Sequence, residues 1–183
     1  MSRALDLAKR RSTRTHQLIL KVAGDLDDAR IAWRPGPRAH SIGWTLWHIA
    51  RCADRFAAEV RETARPARDI WLGEGLAEKW RLDAAVLGTN GVGTGVDDEV
   101  AARVAPPKKD ELLDYARRAF AALDALVASW SDDDLSREFD SFFTEGPTTI
   151  GEALFTCLSH ENRHLGELEY IKGLQGVRGS ATR

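Results

Sequence analysis

Four segments of this chain place apolar residues at helical spacings of three, four or seven, and this pattern constrains the fold more than any other feature. Ser41 is positioned to cap the second segment, and Thr149 and Glu152 form a capping box at the start of the last. Ser131 begins a polar run that ends the third segment and can cap a short turn. The pattern predicts helices over about residues 3–28, 41–63, 110–130 and from 149 to 173 or 176.

No strand pattern rivals these helices, so the predicted fold class is all-α, a four-helix bundle in a single domain of residues 1–183. The connection between the second and third helices, about residues 64–109, is long enough to let those helices run parallel. It can hold another short helix over about residues 71–87. The glycine-rich run 88–95 is expected to be a flexible loop.

Composition limits which binding partners and which cellular compartment are expected for this chain. A net charge of −2 implies no nucleic-acid partner and no anionic-membrane partner. No apolar run approaches the roughly 18 residues of a transmembrane helix, and the N-terminus lacks the apolar core of a signal peptide. Two cysteines do not make a disulfide framework, and a cytoplasmic location is expected.

Residues 160–164 have the sequence H-E-N-R-H, which matches the H-E-x-x-H signature of zinc metalloproteases. His160 and His164 lie on the same face of the predicted helix and can supply two metal ligands. A thermolysin-like third ligand would come from a later helix, but only 19 residues follow His164. A metzincin would have histidine where Tyr170 stands. The third ligand is therefore expected upstream.

His48 is the best upstream candidate, because it lies in mid-helix among apolar neighbours. His40 lies in the capping loop and His16 in a segment rich in Ser, Thr and Arg, so both are expected to be solvated. Three imidazoles with open coordination positions are typical of a catalytic metal site. Imidazole ligands suit a divalent metal such as Zn²⁺ or Ni²⁺.

The sequence around His48 resembles the DinB/YfiT-like family. Residues 41–50 have the sequence S-I-G-W-T-L-W-H-I-A, the H-x-x-x-H pair follows about 110 residues later, and Leu-Gln-Gly ends the last helix. The W-R-P-G-P run at 33–37 and the S-D-D-D-L run at 131–135 are also similar to that family. The resemblance covers nearly the whole chain, and the order and spacing of the motifs carry it.

The resemblance implies an up-down-down-up bundle, often a homodimer, with a metal held by His48, His160 and His164. Some members of the family are metal-dependent transferases or isomerases that use small thiols such as mycothiol, bacillithiol or glutathione. The resemblance therefore implies a small-molecule substrate and a thiol cofactor for this chain.

Several neighbouring side chains are candidates for the pocket. Glu167 falls seven residues after His160 on the same face and can act as an outer-shell partner or weak ligand. Glu161 lies about 100° around the helix from His160, so a solvated or interface carboxylate is favoured over a catalytic base. Cys52 and Cys157 are predicted to lie close together beside the metal, although free cysteines are more often simply buried.

Arginine and tryptophan side chains complete the predicted pocket. Arg51, Arg55 and Arg163 can bind an anionic substrate or thiol, although Arg55 also makes an ordinary i,i+4 pair with Glu59. Trp44, with its neighbour at position 47, is expected to pack the bundle and to wall the site rather than to stack on a ligand.

Three functions remain open at this point. The leading hypothesis is a transferase in which a metal lowers the pKa of a small thiol, whose thiolate then attacks an electrophile. The alternative is a metal-dependent hydrolase that uses metal-bound water, with Glu161 or Glu167 as the base. The third is a non-catalytic metal-binding or stress-related dimeric protein.

Overall fold

The computed structural model describes residues 3–61, 69–105 and 107–179, most of which are helical. The helices are, in chain order, α1 (Arg3–Gly24), α2 (Asp28–Ala32), α3 (Ile42–Arg61), α4 (Ile70–Gly73), α5 (Leu76–Lys79), α6 (Ala84–Leu87), α7 (Asp98–Ala102), α8 (Lys109–Ser129), α9 (Asp132–Leu135) and α10 (Ile150–Leu174). The long helices are α1, α3, α8 and α10, as the periodicity predicts. The all-α prediction is confirmed.

The long helices begin at the predicted caps. The Ser41 hydroxyl accepts a hydrogen bond from the Trp44 backbone N–H at 3.1 Å. Thr149 and Glu152 form the capping box that starts α10. Ser131 likewise forms a capping box, at the start of α9. The predicted end of the second helix, near residue 63, lies outside the described residues.

The first helix is shorter than predicted. It ends at Gly24, and the side chain of Asp27 then caps the separate helix α2 by accepting from the Arg30 backbone N–H at 2.9 Å. Glycine costs about 1 kcal/mol relative to alanine inside a helix, whereas aspartate is favoured as an N-cap. The chain therefore stops one helix and starts another within the predicted span.

Hydrogen bonds between the long helices define their relative directions. The Tyr115 hydroxyl donates to Asp54, and the Arg61 guanidinium donates to the Ala122 carbonyl, so α3 and α8 run parallel. The long crossover between them permits this direction.

The other two long helices, α1 and α10, also run parallel to each other. Contacts join His16 to Glu161 near the middle of this pair and Asp25 to Lys172 near its end. Helices α1 and α3 each pack against both α8 and α10. The hydrophobic core lies between these four helices.

Helix α3 is buried on almost every face. A helix of that kind needs cover from more than its two bundle neighbours. The crossover supplies it, because Trp71 and Val92 are buried against α3 and the Trp71 ring lies 5.8 Å from that of Trp47. The helix predicted over 71–87 is instead the three short helices α4, α5 and α6, because Gly75 and Arg81 take positive φ angles between them.

A short hairpin precedes α10 and was not predicted by the sequence pattern. Strand β1 (Glu138–Asp140) pairs antiparallel with β2 (Pro147–Thr149). Three-residue strands are too short to show an alternating pattern, so the Gly146–Pro147 pair was the available signal. The hairpin loop carries Phe142 and Phe143 to the functional site described below.

Apolar residues remain exposed on the outer face of α1 and α10. Leu7 is 59% exposed and Phe155 is 55% exposed, and both border a groove of about 750 Å³. Among the described helices, none combines the length and the apolar character that crossing a membrane requires. The homodimer implied by the resemblance stays a prediction.

Candidate metal centre

His48, His160 and His164 meet between α3 and α10. The Nε2 atoms of His48 and His160 are 2.9 Å apart, and those of His160 and His164 are 3.1 Å apart. His48 comes from α3, whereas the other two lie one turn apart on α10 and therefore share a face. One ring nitrogen of each histidine lies within 4.8 Å of the other two. The structure thus brings together the three residues that the sequence analysis proposed as ligands.

Two of the three rings are oriented by hydrogen bonds at Nδ1. His48 Nδ1–H donates to the Val92 carbonyl at 2.5 Å, and His164 Nδ1–H donates to the Glu167 carboxylate at 2.6 Å. In a neutral imidazole, a proton on Nδ1 leaves a lone pair on Nε2. Glu167 therefore lies in the position of an outer-shell partner, which fixes the tautomer of a metal-binding histidine.

The buried imidazoles of this cluster are neutral at pH 7. Burial, and to a lesser extent the positive charge of Arg163, lowers the pKa of His48 to about 4 and the pKa of His160 to about 3. Neutral imidazole is the form that binds a metal, so protons do not compete strongly for these nitrogens at neutral pH.

The donor set fits a divalent metal. In a tetrahedral zinc site, Zn–N bonds of about 2.1 Å hold the nitrogens about 3.4 Å apart, a few tenths of an ångström more than the two separations here. Three converging lone pairs repel one another unless a proton or a cation lies between them, and a cation satisfies all three. The buried His160 Nδ1 has no hydrogen-bond partner within the described part of the chain, so its tautomer is free to place a lone pair on Nε2.

A cavity of about 390 Å³ opens beside the three histidines. Its size lies in the range of small-molecule sites. Aromatic rings from two parts of the fold form much of its wall, and one arginine lies at its edge. These residues are Trp44, Phe142, Phe143 and Arg163. A small molecule in this cavity would contact the histidine cluster directly.

Two of the predicted anion-binding arginines hold the crossover instead. Residues 88–96 form a turn that we call the crossover loop. Arg51 is 1% exposed and donates to Asp69 at 3.0 Å and to the Gly91 carbonyl at 3.1 Å. Arg55 donates to the Asn90 carbonyl at 3.0 Å. Both guanidinium groups are thus engaged by the protein.

Arg163 is the exposed arginine of the three, and it lines the cavity. Arg55 does not line the cavity, and it forms the i,i+4 ion pair with Glu59 at 2.9 Å that the sequence spacing suggests. Of the three arginines, Arg163 is therefore the one placed to bind an anionic ligand.

The two cysteines are buried free thiols. Cys52 lines the cavity, whereas the Cys157 thiol donates to Glu161 at 3.5 Å behind it. Burial raises the pKa of Cys52, and burial together with the charges of Glu161 and Cys52 raises the pKa of Cys157. Both side chains are therefore protonated at pH 7 and are poor nucleophiles.

The expectation that Glu161 and His16 are solvated is wrong, because Glu161 is 0% exposed and His16 is 2% exposed. His16 donates from Nε2 to Glu161 and from Nδ1 to Asp124, both at 3.0 Å. Burial alone would lower the pKa of His16, but the two carboxylates raise it to about 9, so the ring is cationic at pH 7. Glu161 is bound to this cation and does not line the cavity as a base.

His40 is also less solvated than the sequence suggests. It is partly buried, lines the cavity and stacks on Trp44 with ring centroids 3.8 Å apart. Burial lowers the pKa of His40, although Asp98 opposes that shift. Its position one residue before the N-cap Ser41 was the available signal, because the start of α3 lies at the cavity.

Three solved structures share the fold. A conserved protein from Enterococcus faecalis superposes with a TM-score of 0.77 at 22% identity, covering 95% of this chain and 98% of that one. A DinB-like protein from Bacillus cereus gives a TM-score of 0.61 at 16% identity, with coverage of 92% and 91%. A mutant of the mycothiol-dependent maleylpyruvate isomerase gives 0.60 at 14% identity, covering 90% of this chain but 60% of that one.

The sequence itself assigns the family. Among curated proteins, no significant match to this chain was found. The sequence model of the DinB superfamily, however, matches residues 11–168, which include His48, His160 and His164. This match covers most of the chain and agrees with the helical fold shared with the solved structures. The chain therefore belongs to the DinB superfamily.

Proposed function

We propose that this protein is a metal-dependent transferase that joins a low-molecular-weight thiol to a small electrophile. The observation that carries the proposal is the convergence of three histidine Nε2 atoms at the wall of a cavity of about 390 Å³. Three imidazoles leave at least one coordination position for an outside ligand. The structural likeness to a mycothiol-dependent isomerase supports a thiol as that ligand.

A divalent metal such as Zn²⁺ or Ni²⁺, when bound, would lower the pKa of a thiol at the open position. The protein holds the ligands ready for it. His48 and His164 are oriented by Val92 and Glu167, and burial keeps His48 and His160 neutral. The aromatic walls exclude water from the apolar part of a ligand.

The nucleophile would belong to the small thiol and not to the protein. Cys52 and Cys157 are buried, and their raised pKa values keep them protonated. Arg163 at the cavity can bind an anionic group of the thiol or of the electrophile. In this arrangement the protein positions the reactants, and the small thiol supplies the reacting sulfur.

The reaction would exchange one bond for another. The thiol sulfur bonds to the electrophilic carbon, and the leaving group departs with the electrons of its own bond to that carbon. The thiol proton would be released to solvent, and His40, which lines the cavity and stays neutral because burial lowers its pKa, is a group there that could relay it.

The structure weakens the case for a hydrolase. A zinc hydrolase with an H-E-x-x-H motif uses the glutamate as a general base. Here Glu161 is buried and bound to His16, while Glu167 is bound to His164. Neither carboxylate lines the cavity, so neither is placed to activate a water molecule there.

Conjugation of a chloroaromatic electrophile tests the proposal. The zinc-loaded protein is mixed with 1-chloro-2,4-dinitrobenzene and, in turn, mycothiol, bacillithiol and glutathione, and the thioether product is measured by absorbance. We expect product above the spontaneous rate with at least one thiol, and a return to the spontaneous rate after chelation or in His48→Ala. A rate equal to the spontaneous one with all three thiols would contradict the proposal.

A further inference from the structure

The crossover loop binds one face of α3 through three consecutive carbonyl groups. The acceptors are residues 90, 91 and 92, and the donors stand on successive turns of the helix. The bonds run from Arg55 to the Asn90 carbonyl at 3.0 Å, from Arg51 to the Gly91 carbonyl at 3.1 Å and from His48 to the Val92 carbonyl at 2.5 Å. One metal-centre histidine and two arginines thus share a single backbone segment.

The backbone of the loop is shaped for this contact. Gly91 has φ +67° and Gly93 has φ +90°, in the left-handed region that favours glycine. A Cβ added to Gly93 would lie 2.8 Å from the Trp47 ring, so the loop rests directly on α3. The Val92 side chain is 1% exposed, and the Thr89 N–H donates to the Thr94 carbonyl at 2.8 Å. The predicted flexible loop is therefore a folded turn with a fixed register.

Arg51 ties this turn to a second part of the crossover. Its guanidinium donates to Asp69, the N-cap residue of α4, while its Nε donates to the Gly91 carbonyl. Asp54 lies 3.5 Å from the same guanidinium. A planar guanidinium can satisfy several acceptors in fixed directions, whereas a lysine ammonium cannot reproduce that fork. Arg51 thus holds the Gly91 carbonyl, which lies between the Asn90 and Val92 acceptors.

We propose that Arg51 and the crossover loop are positioning elements of the metal centre. Arg51 holds the loop so that the Val92 carbonyl keeps the His48 proton on Nδ1. The Nε2 lone pair of His48 then faces His160 and His164. An outer partner of this kind fixes the tautomer and the ring direction of a ligand histidine. This inference rests on the proposed function in one respect, the assignment of His48 as a ligand.

Gly93→Ala and Arg51→Lys test the inference by displacing the loop in two different ways. Gly176→Ala is the control, because Gly176 also has a positive φ, +72°, but faces open space. Nitrogen-15 NMR of the histidine rings gives the tautomer of His48 in the metal-free, full-length protein. Competition with a chelator gives the zinc affinity.

We expect wild-type His48 to carry its proton on Nδ1. Both loop variants should populate the other tautomer and bind zinc roughly 10–100-fold more weakly, the usual cost of losing an outer partner. Gly176→Ala should change neither quantity.

A wild-type His48 that carries its proton on Nε2 would overturn the inference without any variant. Unchanged tautomer and unchanged zinc affinity in both folded variants would do the same. A wild-type protein that binds no zinc would instead overturn the proposed function, while the tautomer measurement would still decide the role of the loop.

Discussion

Two adjacent residues of α10 belong to buried sites of opposite character. His160 meets His48 and His164, and burial lowers the pKa of His160 to about 3. Glu161 instead meets His16, whose pKa is raised to about 9 by two carboxylates although burial opposes the shift. Burial disfavours the charged ring at both positions, but His16 has two carboxylates within hydrogen-bond distance, whereas the hydrogen bonds of His160 in the described structure join it only to other histidines, so His16 is cationic and His160 is neutral. The site around Glu161 contains its own cation, protonated His16, whereas the histidine cluster is suited to bind a metal cation.

Removing a ligand should give the largest effect, and it acts on the metal centre alone. In His160→Ala, we expect zinc affinity to fall by more than the roughly 10–100-fold that a lost outer partner costs, because a direct ligand is gone. The measurement is zinc content after dialysis, with a chelator titration for affinity. The unfolding free energy of the metal-free protein should fall by less than in His16→Ala, since a neutral ring leaves no buried charge without its partner. Zinc binding equal to that of the wild type would show that His160 is not a ligand and would contradict the contrast between the two sites.

Removing the His16 cation should reduce the stability of the fold and leave metal binding unchanged. In His16→Ala, Glu161 and Asp124 lose their partner in the bundle core, and breaking a buried ion pair costs roughly 3–5 kcal/mol. Urea unfolding of the metal-free protein measures this loss. Arg10→Ala, an exposed substitution on the same helix, is the control and should change stability by less than about 0.5 kcal/mol. A zinc affinity reduced as far as in His160→Ala would show that the two sites are not separate.

The pH dependence of stability should distinguish His16 from an ordinary histidine. A folded-state pKa of about 9 against 6.5 means that the contribution is fully present below pH 6.5 and is lost as the pH rises through about 9. His16→Gln keeps a polar side chain without the charge. The stability gap between wild type and this variant should therefore shrink by up to roughly 3 kcal/mol from pH 6 to pH 10. A gap that is constant over this range would mean that His16 is neutral.

The smallest expected effect concerns Glu167, the carboxylate that bonds to His164 of the metal centre. It is half exposed and bonds to His164 at 2.6 Å, so its loss is screened by solvent. Glu167→Gln should weaken zinc binding about tenfold, at the low end for outer partners. Glu111→Gln, an exposed position on α8, is the matched control for removal of one negative charge. Equal zinc affinities of Glu167→Gln and Glu111→Gln would show that Glu167 does not contribute to metal binding.

The sequence predicts the histidine cluster because helical spacing shows which side chains share a face. His160 and His164 are four residues apart, and His48 lies among apolar residues of another helix, so packing of the two helices brings the three rings together. The buried cation was missed for the opposite reason. Ser12, Thr15 and His16 look polar in sequence, but they lie on the buried face of α1. Their burial depends on carboxylates of two other helices, which no local pattern shows.

The crossover was also beyond local prediction. Its glycines correctly indicate turns, but a glycine-rich run does not reveal whether a loop is free or bound. The acceptors in the loop are backbone carbonyls, which every residue possesses, so the loop sequence itself does not show its contacts to α3. Arg51 and Asp54 were indirect signals, since charged side chains within an almost wholly buried helix need buried partners, and Asp54 accepts from the Trp71 backbone N–H.

X-ray absorption of the zinc-loaded protein tests the central claim most directly, because it counts the ligands of the metal and measures their distances. The account predicts three imidazole nitrogens at about 2.0–2.1 Å and one light, exchangeable ligand, with one imidazole fewer in His48→Ala. A sulfur ligand at about 2.3 Å from Cys52, or fewer than three imidazoles in the wild type, would contradict it.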